Sequence, residues 1–135
     1  MRMLVLSAGR LRPPFADDVE HYAKLLSRYA RLELVEVRDE ERLAARVPDR
    51  AFVCLLDAGG RALDSLALSA WVEERRGSGR DLCFVVGGPR GTGLERCDMK
   101  LSLGPMTLPH QLARVVLLEQ LFRAHKILAG EPYHY

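Results

Sequence analysis

Residues 51–88 read AFVCLLDAGGRALDSLALSAWVEERRGSGRDLCFVVGG. Two unbroken apolar runs, AFVCLL and LCFVV, stand at either end of a segment with helical spacing. Runs this short and this apolar suit strands covered on both faces. Between them DAGGRALDS is rich in turn residues and is expected to be a loop. Ser65 is then placed to cap a helix whose apolar positions include Leu66, Leu68, Trp71 and Val72. Gly77 and Gly79 end that helix. Strand, helix, strand is the unit from which parallel sheets are built.

The same alternation extends outward in both directions. Residues 1–8 form another continuous apolar run, followed by GRLRPP. From Phe15 the apolar residues Val19, Tyr22, Leu25, Leu26 and Tyr29 recur at helical spacing, with Asp17, Asp18 and Glu20 in the first turn complementing the helix dipole. Residues 32–37 alternate apolar and polar, as in a strand with one polar side, and residues 40–46 have room for a short helix before Pro48. After Val86 comes GGPRGTG, then a short strand at 99–103 and a long final helix, with room for a further helical piece between the last two strands. The expected architecture is α/β, a mostly parallel sheet flanked by helices, in a single domain spanning residues 1–135. In open sheets of this kind ligands sit beyond the carboxyl ends of the strands. Three loops qualify: those after Leu56, after Val86 and after Leu103.

Composition narrows the function classes. Twenty Lys and Arg against eighteen Asp and Glu leave +2, so any nucleic-acid contact must come from a local patch. The three cysteines, Cys54, Cys83 and Cys97, include no C-x-x-C pair and fit reduced thiols in a cytoplasmic protein. The four histidines show no metal-ligand spacing, so no metal is expected. The opening residues suit a first strand better than a secretory signal, and no run is long enough for a membrane span.

The glycines at 87–93 fit neither a dinucleotide fingerprint nor a P-loop, since Arg96 and Leu94 occupy the decisive positions. On local evidence they make a tight turn as readily as a site. Asp57 ends a buried strand, where capping loop amides is the expected role. Pro109 fits a first helical turn, with Thr107 or Leu108 as the cap. The final helix is apolar on nearly all sides: Leu112, Val115, Val116, Leu117, Leu118, Leu121, Phe122, Ile127 and Leu128. A sheet covers one flank of such a helix, and a second copy of the chain is the expected cover for another. Glu119 within that surface is expected to make a structural hydrogen bond, while Arg114, Arg123, His125 and Lys126 read as a solvated basic face.

Taken together, FVCLLDAGG, FVVGGPRG and LSLGPMTLPHQLARVVLLEQLFRAHKI followed by GEPYHY resemble the RlmH-type SPOUT methyltransferases, along the whole chain and most specifically in its last third. The resemblance implies a homodimer with a trefoil knot in the C-terminal half, involving residues 87–93 and the loop after Leu103. It implies S-adenosyl-L-methionine as cofactor, held by Leu56, Gly87, Leu103, Gly104, Pro105, Met106, Thr107 and Leu108. The implied reaction is methylation of N3 of a pseudouridine in helix 69 of 23S rRNA, on the assembled ribosome in the cytoplasm. His134 would serve as the base or position the RNA, with Arg123 and Tyr133 gripping substrate. The segment around residues 40–49 is shorter than the family pattern, and Tyr135 stands where a basic residue commonly follows P-Y-H. Two rival readings use the same loops. A flavodoxin-like nucleotide or redox module would bind flavin or dinucleotide. A dimeric RNA-binding module without methyltransferase activity would show no affinity for the methyl donor.

Overall fold

The computed structural model describes residues 1–87 and 92–133. The elements are β1 (Arg2–Ala8), α1 (Phe15–Leu26), β2 (Arg31–Val37), a 3-10 turn (Glu40–Arg42) running into α2 (Leu43–Arg46), β3 (Phe52–Ala62), α3 (Ser65–Gly77), β4 (Leu82–Val86), β5 (Met99–Ser102) and α4 (His110–Leu128). The five strands form one sheet in the order β2-β1-β4-β3-β5, and every neighbouring pair is parallel. The expected α/β class and parallel sheet are therefore found. No helix occurs among the described residues between β4 and β5, where a further helical piece had room.

The apolar runs become central strands because both faces of the sheet are buried. Met3, Val5, Cys54, Leu82, Phe84, Val86 and Leu101 point to one side, where α1, α3 and α4 lie. Leu4, Leu6, Ala8, Val53, Leu55, Cys83 and Val85 point to the other, covered by Leu43 of α2 together with Val47, Leu94 and Cys97. Such alternation between two covered faces leaves little place for polar side chains, Ser7 in β1 being buried as well. Burial pushes the Cys54 thiol up to about 12 and that of Cys83 to about 11, so both stay protonated and unreactive near neutrality.

Helix α4 packs against α1 on one side and α3 on the other, with the sheet beneath it. One chain therefore buries Leu117, Leu118, Leu121, Phe122 and Ala124. Leu112, Val116 and Ile127 fall on the opposite side of the helix and are only half-buried. An apolar outer stripe remains, as expected for a helix that a second copy would cover.

Three local expectations need correction. DAGG is not a free loop: β3 runs on through it to Ala62, and the ladder to β5 shifts register between Leu56 and Arg61. The strand tolerates these turn residues because β5 supplies a partner and the bulge absorbs the extra length. Gly60 is required there, since a Cβ would lie 2.6 Å from the Lys100 carbonyl carbon. At α3 the capping residue is Asp64, whose Oδ1 accepts from Ala67 N–H at 2.7 Å. Ser65 instead donates to Gln120 Oε1 at 2.6 Å and ties α3 to α4. At α4 the N-cap position is Pro109 itself, extended with ψ 137° and making no side-chain cap, so neither Thr107 nor Leu108 fills that role.

Candidate functional site

The carboxyl ends of β3, β4 and β5 open into a cavity of about 370 Å³. Leu55, Leu56, Asp57 and Ala58 line it from β3, Val86 and Gly87 from the end of β4, and Leu101 from β5. Leu103, Gly104, Met106, Thr107 and Leu108 form the wall that leads into α4, where His110 and Ala113 complete it; Thr92 also contributes. Seven of the eight residues expected for a cofactor pocket line this one cavity. Pro105 is exposed and does not line it.

The wall is held in shape from beneath. Ser102, buried at the end of β5, accepts from Gly104 N–H at 3.1 Å, and its hydroxyl lies 3.0 Å from the Ala58 carbonyl oxygen and 2.9 Å from that of Gly104. One hydroxyl thus stitches the strand-end segments of β3 and β5 together. Gly104 sits at φ +138°, a conformation that side chains disfavour, so the glycine is what lets the wall turn. Asp57 takes the capping role expected of it, accepting from Gly59 N–H at 2.9 Å. No backbone hydrogen bond within the described residues engages Met106, Thr107 or Leu108. Those N–H and C=O groups remain open beside an apolar lining, with Met106 itself 76% exposed. Open backbone donors and acceptors on a pinned loop, above leucines, suit a planar heterocycle with a polar edge.

Sequence reasoning missed Ser102 and His110. Both stand in the LSLGPMTLPH stretch that carries the resemblance, but neither had a role assigned to it: that of Ser102 depends on where Ala58 lies, and His110, like Asp57, is an ionisable side chain of the cavity wall.

The other predicted residues gather elsewhere. Arg123 and Tyr133 converge on Glu119: Arg123 Nη2 lies 2.9 Å from Glu119 Oε2, and the Tyr133 hydroxyl donates to the same oxygen at 2.7 Å. The Arg123 guanidinium stacks 4.0 Å over the Tyr133 ring, which meets Phe122 edge-on at 5.5 Å. Burial, and then the bond to Glu119, pushes the Tyr133 phenol up to about 12. Glu119 thus has the structural role expected, and it anchors the tail. His134 lies outside the described residues. Thirteen residues of α4 separate Arg123 from His110, which is about 20 Å at the helical rise. Within one chain the tail cluster and the cavity do not meet.

The solvated basic face is also corrected. Arg114 and His125 are each only 3% exposed. Arg114 pairs with Glu36 at 2.8 Å, donates to the Gly9 carbonyl at 2.7 Å and bonds the Ala8 carbonyl. His125 Nδ1 donates to the Leu121 carbonyl at 2.8 Å. Among the described residues no cluster of side chains could hold a metal ion, and no helix is long and apolar enough to cross a membrane.

Residues 1–134 match the family model described as "Predicted SPOUT methyltransferase". The chain is 44% identical to ribosomal RNA large subunit methyltransferase H of Gluconacetobacter diazotrophicus, covering 98% of this chain and 96% of that protein. It is 43% identical to the protein of the same name from Pelobacter propionicus, with all of both chains covered, and 40% identical to that of Gemmatimonas aurantiaca, with 99% of each covered. The Pelobacter alignment runs over 152 positions against 135 residues here, so it opens gaps within this chain.

Proposed function

Because the chain belongs to the SPOUT methyltransferase family, we propose that it methylates N3 of a pseudouridine in helix 69 of 23S rRNA, on the assembled cytoplasmic ribosome, using S-adenosyl-L-methionine. The observation that carries the reading is the cavity at the ends of β3, β4 and β5. It gathers Leu56, Gly87, Leu103, Gly104, Met106, Thr107 and Leu108 around one space.

The residues present fit the methyl donor. Leu56, Leu103 and Leu108 would give apolar contact to its adenosyl part, and the open backbone groups of 106–108 would read the polar edge of the base. When bound, the cofactor supplies a methyl group already activated on a sulfonium. The chain has to hold the pseudouridine nitrogen in line with that methyl, exclude water and accept the imide proton. His134 is the candidate for the proton or for positioning the RNA, and Arg123 and Tyr133 are the candidates for gripping the substrate.

The separation along α4 bears on how such a site would be completed. Arg123 and Tyr133, set apart from the cavity of their own chain, would serve the cavity of a two-fold partner. The half-buried stripe of Leu112, Val116 and Ile127 offers the contact surface. The family's trefoil knot, expected to involve residues 87–93 and the loop after Leu103, belongs to the same reading; residues 88–91 lie outside the described ones.

Titration with S-adenosylmethionine, NAD and FMN tests the cofactor directly. Saturable binding of the first alone is expected, and binding of FMN or NAD in its place would favour the flavodoxin-like alternative. Mass spectrometry of ribosomal RNA from cells lacking the gene tests the product. Loss of the N3-methylated pseudouridine is expected; its persistence would remove this chain from that reaction.

A further inference from the structure

We propose that the loop at residues 9–14, with Arg38 beside it, is a built phosphate grip for the RNA strand approaching the cavity. The inference rests on the reading of the substrate as ribosomal RNA. Its first support is how firmly the loop backbone is held. Gly9 N–H donates to the Val37 carbonyl at 2.8 Å, and Leu11 N–H to Glu36 Oε2 at 2.9 Å. Gln111, in the first turn of α4, accepts from Arg12 N–H at 2.9 Å and donates to the Arg10 carbonyl at 3.1 Å. Arg114 binds the Ala8 and Gly9 carbonyls from below. Two elements remote in sequence thus spend polar side chains on fixing a surface loop.

The second support is what the loop leaves unused. Arg10, Arg12 and Arg38 are exposed, and none of their guanidinium groups has a hydrogen bond, ion pair or ring contact among the described residues. By contrast Arg2, Arg42, Arg76, Arg80, Arg114 and Arg123 are each paired with a carboxylate. The nearby Glu36 is engaged by Arg114 and Leu11, so it is not free to neutralise them. Asp17 and Asp18 follow in the first turn of α1, where the helix N-terminus offsets their charge.

The third support is position. Arg10 follows the carboxyl end of β1 and Arg38 that of β2, the end of the sheet at which the cavity opens. Gln111 clamps the loop beside His110, which lines the cavity. With a net charge of only +2, attraction for a polyanion must be local. Guanidinium groups held on a fixed backbone suit phosphate oxygens, which they can engage with paired donors.

The test is co-sedimentation of the full-length protein with purified 70S ribosomes from cells lacking the gene, over a series of salt concentrations. The R10A/R12A double variant should bind at least tenfold more weakly. Its log affinity against log salt should be flatter by about one to two phosphate contacts, each worth roughly 0.7–0.9 in slope. R10K/R12K should recover most of the affinity, and R28A/R46A, equally exposed at the opposite end of the sheet, should bind like the parent. Affinity for S-adenosylmethionine should be unchanged in all of them. Undiminished binding by R10A/R12A, an equal loss in R28A/R46A, or no ribosome binding by the parent would overturn the proposal. A parent that binds ribosomes through these arginines but neither binds the cofactor nor methylates would uphold it and sink the methyltransferase reading instead.

Discussion

Arg114 and His125 sit on the same side of α4, and both spend their burial on main-chain carbonyls. Arg114 reaches the end of β1, and burial pulls its guanidinium below its ordinary value while Glu36 opposes the shift. For His125 burial is the larger effect and lowers its affinity for protons; the Leu121 carbonyl opposes this, and Arg76 and Glu73 add smaller, opposing influences. With Nδ1 donating to Leu121, its buried Nε2 has no partner among the described residues. The imidazole is thus held neutral in the folded chain, whereas in the unfolded chain it takes a proton near its ordinary value of about 6.5. Stability from this source is present above that value and is lost as pH falls through it. Thermal unfolding should therefore show a Tm that drops between about pH 7 and pH 5, and a flatter profile in His125→Leu. A variant as steep as the parent would show that other groups carry the dependence. None of this was legible in the sequence. A charged residue on a helix reads as solvent-facing until its partners are known, and those of Arg114 lie 78 to 106 residues away.

At the scale of elements, β3 separates what sequence could and could not say. Its first half is a continuous apolar run and announces itself. Its second half, Asp57 to Ala62, carries the composition of a turn and is a strand only because β5 lies alongside. The bulge brings the backbone of Gly60 against that of Lys100 and Leu101. Gly60→Ala should force the two strands apart, lowering stability by about 1–3 kcal/mol and weakening cofactor binding at the cavity they line. Gly59→Ala is the matched control, since its Cβ would rest at an ordinary 3.5 Å from Asp57 Oδ1. Equal melting temperatures for the two variants would contradict the packing described. The wall at 103–108 was legible in a different way. Gly104, Pro105 and Pro109 have the composition of a loop and resemblance supplies its use, but that Ser102 ties it to Ala58 depends on a contact no spacing shows.

For the whole molecule, the apolar perimeter of α4 suggested a partner, and the fold accounts for most of it within one chain through α1, α3 and the sheet. The stripe left over is the contact surface of the proposed dimer, for which sedimentation velocity at micromolar concentration should give twice the mass of the chain. Val116→Arg, which sets charge into that stripe, should shift the protein to monomer without lowering its Tm by more than a few degrees. A monomeric parent would remove the partner from the scheme. The parallel sheet and the position of the cavity at its carboxyl edge followed from the alternation of elements; the strand order did not, because periodicity says nothing about which strands are neighbours. That order has its own consequence. Strand β3 is flanked only by β4 and β5, both made after it, and β1 awaits β4 on its inner edge. A nascent chain emerging from the exit tunnel can pair β1 with β2 and nothing more until residue 86 is free. Its assembly therefore waits for β4, and fragments cut before that strand could form no more of the sheet than the β1–β2 pair.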